Sequence, residues 1–200
     1  MDLSCHRGDR SLYSGVGFQL RAGNCLHLQG SNGAGKTSLL RQVSGLSPVS
    51  EGEVSWCGKP IKDNEYFCAE RIYLGHDLAM KEDLSAMENL KMDAAIAGQS
   101  VHPDKVFSAL KRLGLKGREH LPLRVLSQGQ KRRAALAKLL TRRAALWILD
   151  EPVVALDVPS QTAITQILIA HLDEGGMVLF TSHQHLPLPS TSIASYRLLG

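Results

Sequence analysis

No stretch of these 200 residues holds the roughly 20 consecutive apolar side chains that a membrane-spanning helix requires. The chain is therefore not expected to form a pore, and any transport role needs a separate subunit to hold the path. The amino terminus carries Asp2, His6, Arg7, Asp9 and Arg10 where a secretory leader would place an apolar run, so no export signal is expected. Cysteine is sparse. Cys5, Cys25, Cys57 and Cys68 never fall at CxxC spacing, which excludes a zinc ribbon or a thioredoxin-like motif and leaves reduced cytosolic thiols as the expectation. The eight histidines are scattered, and the His183–His185 pair has no third ligand near it in sequence. Charge is nearly balanced, with 23 Lys and Arg against 19 Asp and Glu, too mild an excess to argue for nucleic acid as a partner. The basic groups Lys131-Arg132-Arg133 and Arg142-Arg143 flank a helical stretch and read as a solvated helix face. Repeats, low-complexity tracts and long linkers are missing too, so a single domain spanning 1–200 is expected.

Four short, widely separated segments are present. Gly30-Ser31-Asn32-Gly33-Ala34-Gly35-Lys36-Thr37 fits the Walker A pattern, preceded by an alternating strand-like stretch and followed by a helical one from Ser38. Its glycines let the backbone wrap closely around phosphate oxygens, while loop N–H groups and the positive end of the new helix stabilise the anion. Lys36 is placed to reach the β- and γ-phosphates of ATP, and the Thr37 hydroxyl to ligate Mg²⁺.

The continuous apolar run Ala144–Leu149 reads as a parallel strand buried on both faces, delivering Asp150 and Glu151 at its carboxyl end. Asp150 is the candidate Mg²⁺ holder and Glu151 the candidate general base for the attacking water. His183 closes a further buried-strand pattern, Val178–Ser182, and is a candidate to contact the γ-phosphate and orient that water. Taken alone, each of these has a plain structural explanation: a solvated strand end for the carboxylates, a structural imidazole for His183. Together with Walker A they point to nucleotide hydrolysis.

Leu126-Ser127-Gln128-Gly129-Gln130 precedes strong helix formers from Lys131 to Leu140, and Ser127 with Gln130 has capping-box spacing. With this segment the whole chain resembles the ATP-binding cassette (ABC) family. Leu126–Gln130 is similar to the family's signature, Glu151-Pro152 with Ala155-Leu156-Asp157 to Walker B plus D-loop, and His183 to the switch histidine. The resemblance implies an α/β P-loop NTPase fold with a small antiparallel β subdomain and an inserted helical subdomain at about 84–118. It also implies head-to-tail pairing of two copies. Ser127, Gly129 and Gln130 would then meet the nucleotide bound to the partner copy, and Asp157 would link the two sites.

Three positions depart from the family pattern. Gln128 replaces the signature's third-position glycine, His76 fills the Q-loop position as a candidate catalytic and Mg²⁺-water ligand, and Arg7 occupies the adenine-stacking position. Arginine can stack on a base. Within the family the chain resembles the ATPase subunits of cytochrome c maturation (haem exporter) systems. The residues that carry this are Tyr73-Leu74-Gly75-His76, Ala86-Met87-Glu88-Asn89-Leu90, Ala145–Pro152 and Thr181-Ser182-His183-Gln184, beside Walker A. That resemblance implies an integral membrane permease, haem-handling partners and a peripheral place on the cytoplasmic face of the bacterial inner membrane. A soluble cassette that remodels a protein or nucleic-acid complex, a transporter ATPase for another cargo, and a small-molecule kinase sharing only Walker A are the alternatives.

Further elements are expected as strands at Gly17–Leu20, Cys25–Leu28, Glu53–Trp56 and Ile193–Leu198, and as helices at Ala86–Ala97, Asp104–Leu113 and Pro159–Leu172. Breaks are expected at Gly98 and Pro103. No regulatory carboxyl-terminal domain is expected after the final strand.

Overall fold

The computed structural model describes every residue except Met1, Gly8, Asp9, Asp63, His185, Ser190, Thr191, Leu199 and Gly200, and the side chains of Arg7 and Arg10. It opens with an antiparallel pair, β1 (Leu3–Arg7) and β2 (Arg10–Val16). The register sets Leu3 opposite Val16, where the partner strand ends. Gly17–Leu20 therefore has no ladder to join, and the strand expected there lies one stretch earlier. Next, β3 (Cys25–Gln29) leads through the glycine-rich loop into α1 (Lys36–Val43). A second hairpin pairs β4 (Ser55–Trp56) with β5 (Lys59–Pro60), so the strand expected at Glu53–Trp56 keeps only its last two residues. The short α2 (Glu65–Ala69) and β6 (Arg71–Leu74) follow.

The helical stretch contains α3 (Ala86–Ile96) and α4 (Pro103–Arg112). Ser85 and Glu88 form a full capping box at the start of α3. The chain breaks between α3 and α4 as expected, and Pro103 opens α4, since the first turn needs no N–H from it. The helix expected through Leu140 splits at Ala137 into α5 (Gln128–Leu136) and α6 (Lys138–Thr141). Then come β7 (Leu146–Asp150), α7 (Val158–Asp173), β8 (Met177–Thr181) and β9 (Ile193–Arg197), close to the expected bounds.

Five strands form one parallel sheet in the order β6-β7-β8-β3-β9. Strand β7 is buried along its whole length and alternates its side chains. Trp147 and Leu149 join an apolar cluster with Leu90, Val106, Leu136 and Ile164 of the helices, whereas Leu146 and Ile148 join Leu39 and Leu40 of α1. Both sheet faces are thereby covered, as an all-parallel sheet requires. The carboxyl ends of β7, β8 and β3 come to lie side by side, where open α/β sheets bind ligands. Among the described residues no helix is long and apolar enough to cross a membrane.

One buried amide fixes how the chain enters α3. Asn89 is 2% exposed; its Oδ1 accepts from Lys81 N at 2.7 Å, and its Nδ2 reaches Lys81 O at 2.9 Å and Ser85 O at 2.9 Å. Asn89→Ala should destabilise the protein by about 1–3 kcal/mol, because it removes the side-chain partner of part-buried backbone groups at Lys81. Urea unfolding measures this, and an unchanged midpoint would show that segment 81–85 is held by other contacts.

Candidate active site

The phosphate-loop backbone is shaped by glycines that no other residue replaces cheaply. Gly35, at φ 92°, caps α1, and a Cβ there would sit 2.9 Å from the Tyr13 ring. Tyr13 is itself fixed by donating its hydroxyl to Gln42 Oε1 at 2.6 Å. No side chain caps α1, so the N–H groups of its first turn remain available to an anion. Lys36 folds over the loop, its Nζ donating to Gly30 O at 2.7 Å and Ser31 O at 3.1 Å.

Across the cavity stand the two carboxylates that end β7. Asp150 is 5% exposed, and both its oxygens accept hydroxyl protons: Oδ2 from Thr37 at 2.6 Å and Oδ1 from Thr181 at 2.6 Å. Thr181 Oγ1 also accepts the Glu151 N–H at 3.0 Å. Register explains this bridge, since Asp150 pairs with Thr181 between β7 and β8. Glu151 adopts φ 51°, a left-handed backbone unusual for a residue with a Cβ. Its Oε2 accepts from His183 N at 3.1 Å, and its Oε1 lies 3.6 Å from His183 Nε2.

One cavity of about 300 Å³ is walled by Ser31 to Gly33, Gly35 to Ser38, Asp150, Glu151 and His183, with Leu12 at its rim. Gly30 and Ala34 lie in the same loop, Ala34 buried beneath it. Its chemistry suits a metal-bound polyphosphate. Thr37 Oγ1 and Asp150 Oδ2 form a pair of hard oxygen donors, and no cluster of three His, Cys, Asp or Glu exists among the described residues. Mg²⁺ is commonly held in this way, by one or two protein oxygens together with the substrate's phosphates.

The remaining expected residues sit elsewhere in this single copy. His76 is exposed, two residues past the end of β6, and is not part of the cavity wall. Ser127 and Gln130 do form the reciprocal capping box, with Ser127 Oγ accepting from Gln130 N at 3.3 Å and Gln130 Oε1 accepting from Ser127 N at 2.9 Å. Ser127 and Gln128 are exposed, Gly129 is half-buried, and all lie outside the cavity wall. Asp157 caps α7 by accepting from Ser160 N at 3.0 Å; its hydrogen bonds with Ser160 hold its carboxyl below the usual range. The Arg7 side chain and His185 lie outside the described residues.

With this geometry in place, four likenesses are informative. The ABC transporter family profile matches residues 13–154. The chain belongs to the ABC transporter family. Within it, the cytochrome c biogenesis ATP-binding export protein CcmA of Dechloromonas aromatica is 48% identical over 98% of this chain and 97% of its own length. The protein of the same name from Nitrosospira multiformis is 46% identical over 99% of this chain and 97% of its own. Among solved structures, a Pyrococcus furiosus protein described as an ABC transporter (ATP-binding protein) superposes with a TM-score of 0.83 at 28% identity, covering 98% of this chain and 94% of that one. This membership makes the chain a nucleotide-binding ATPase of the ABC type and settles the fold expected above.

Two structural residues escaped the sequence reading. Arg132 is only 6% exposed, so the basic run 131–133 is not a solvated face. Lys131 reaches Glu82 at 2.6 Å, Lys138 reaches Asp93 at 3.0 Å, and Arg142 donates to the carbonyls of Cys68 and Arg71. A single charged row gives no warning of this, because burial depends on other elements, some as distant in sequence as Cys68 is from Arg142. His27 was the second. Its ring stacks on Phe180 at 4.7 Å, and its Nε2 lies 3.1 Å from Ser182 O, bracing the turn that carries His183.

Thr181→Val tests the bridge between the carboxylates. The substitution keeps the shape but leaves an Asp150 oxygen and the Glu151 N–H without their partner, so stability should fall by about 1–3 kcal/mol and turnover with it. Chemical denaturation alongside phosphate release reads both, and wild-type values for the two would dismiss the bridge.

Proposed function

We propose that this chain is the ATP-hydrolysing subunit of an ABC assembly serving cytochrome c biogenesis, energising haem export or the release of a haem-loaded chaperone through a separate integral membrane permease. The names of the relatives above supply cytochrome c biogenesis, ATP binding and export. The observation that carries the hydrolytic part is the 2.6 Å contact between Thr37 and Asp150, which joins the phosphate loop to the end of β7 across 113 positions of sequence. The assembly sits peripherally on the cytoplasmic face of the inner membrane, with haem-handling proteins as further partners. One ABC ATPase domain spans 1–200, and 84–118 is its helical subdomain facing the permease.

Residues Gly30 to Ser38 wrap the phosphates, and Lys36 exchanges its carbonyl contacts for the β- and γ-phosphates. Thr37 and Asp150 would hold Mg²⁺, with His76 reaching it through water, and the bound ion would supply positive charge to the phosphates. Glu151 takes a proton from the attacking water, and its contact with His183 orients the carboxylate for that task. His183 then faces the γ-phosphate. Two copies pair head to tail, so that Ser127, Gly129 and Gln130 of one close over the nucleotide of the other and Asp157 connects the two sites. Arg7 lies beside the adenine.

Glu151→Gln should bind ATP, lower turnover by about a hundredfold or more, and trap a nucleotide-bound dimer, since the amide cannot accept the proton. Phosphate release and size-exclusion chromatography with ATP measure this, and normal turnover would remove Glu151 from its role. Chelating Mg²⁺ with EDTA should abolish turnover in the wild type while sparing the fold, as seen by circular dichroism. Turnover that persists in EDTA would contradict the Thr37–Asp150 metal site.

A further inference from the structure

Arg132 makes contacts that the nucleotide chemistry above does not use. It lies one turn into α5, the helix that begins at the Ser127–Gln130 capping box. Its guanidinium reaches the carboxyl ends of two strands at once. Nη1 donates to Gly75 O at 2.9 Å, and Nη2 donates to Asp150 O at 2.7 Å and to Glu151 O at 2.7 Å. All three acceptors are backbone carbonyls at the point where β6 and β7 hand over to their loops. The planar fork of arginine suits such a multiple contact, and lysine cannot reproduce it.

The backbone being held is strained. Glu151 has φ 51° and Ala155 φ 62°, and such residues persist only where their surroundings over-determine them. Thr181 fixes the Glu151 N–H, while Arg132 and the Val154 N–H share the Glu151 carbonyl. The same stretch touches the start of α5, because a Cβ on Gly129 would lie 3.2 Å from Ala155 O. Lys131, the neighbour of Arg132, pairs with Glu82 in the segment after His76. Burial pushes the Arg132 guanidinium down from its ordinary value, and the carboxylates of Asp150 and Glu151 act to raise it again.

We infer that Arg132 is a positioning residue for hydrolysis: it ties the signature helix α5 to the backbone of Glu151 and to the residue before His76. A shift of α5 then moves the base and the His76 loop together. The inference rests on Glu151 being the general base. Closure over a nucleotide at Ser127–Gln130 is thereby reported to the carboxylate through one side chain.

A double-mutant cycle on the full chain, in the assembly with which it purifies, tests this. Arg132→Gln should lower kcat by about tenfold or more while KM for ATP stays within about twofold, because no wall residue of the nucleotide cavity is altered. Arg132→Lys should fall between it and the wild type. Added to Glu151→Gln, Arg132→Gln should cost less than about twofold further, since both changes disable one step. Lys138→Gln, which unpairs Asp93 on the same helical run, controls for destabilisation and should lower Tm with kcat unchanged. Losses that multiply in the Arg132→Gln, Glu151→Gln double variant, or a rise in KM in place of a fall in kcat, would overturn the positioning role and leave Glu151 untouched. Misfolding of both Arg132 variants would make the contact a folding strut and overturn it equally. Full turnover in Glu151→Gln alone would instead refute the base assignment, and the inference with it.

Discussion

Asp150 is a nearly buried carboxylate, and a charge in that setting must be paired or hydrogen-bonded at every oxygen. Each of its oxygens accepts a proton from a threonine. Meeting that demand requires α1 to deliver Thr37 and β8 to deliver Thr181 to the end of β7. The sheet order β7-β8-β3 makes this possible, because the loop after β3 can then reach over β8. Fixing Thr181 also fixes the Glu151 N–H, and through Glu151 the position of His183. The hydrolytic constellation is therefore a consequence of how one carboxylate is solvated by protein.

The basic residues of the helical stretch act as struts in the same sense. Lys131, Arg132, Lys138 and Arg142 each end on a carboxylate or on backbone carbonyls from another element. Segment 82–87 is stitched to 119–124 by backbone hydrogen bonds, Leu123 N to Leu84 O at 3.0 Å and Met87 N to Glu119 O at 3.1 Å among them. Asn89 seals the turn between. The path from β6 to α5 is thus tied to α5 at several points. On the proposed reading that stiffness matters, because it lets the helical region follow α5 as a unit when a nucleotide is bound or lost.

Legibility in the sequence followed the range of the interactions. Local rules sufficed for the phosphate loop, for the Ser127–Gln130 capping box, for the buried run of β7 and for α7 with Pro159 in its first turn. These depend on neighbours within four residues or on plain hydrophobic continuity. What needed a partner was misjudged. The strand expected at Gly17–Leu20 failed because β1, which decides where the ladder ends, was not foreseen. The run 131–133 looks like surface charge until β6 and β7 are seen to end with their carbonyls facing it. Thr181 belongs to the Thr181-Ser182-His183 segment, yet its link to Asp150 follows only from the β7–β8 register.

Charge gives a reason for the proposed pairing of two copies. The described cavity wall contains two carboxylates, Asp150 and Glu151, against one permanent cation, Lys36, with the free N–H groups of α1 beside it. A polyanion entering there gains from Lys36 and the helix terminus but meets the field of Glu151. A bound Mg²⁺ offsets part of that repulsion. The rest calls for positive potential from the open side of the cavity. The α5 terminus has the means: its capping box occupies the Ser127 and Gln130 N–H groups, which leaves those of Gln128 and Gly129 free. In its own copy this terminus lies outside the cavity wall. In the proposed head-to-tail pairing a second copy presents it to the γ-phosphate, and Gln128 in place of glycine then brings a side-chain amide to the same approach. On the proposed pairing the γ-phosphate itself bridges the two copies, so departure of the cleaved phosphate removes the charge that held them.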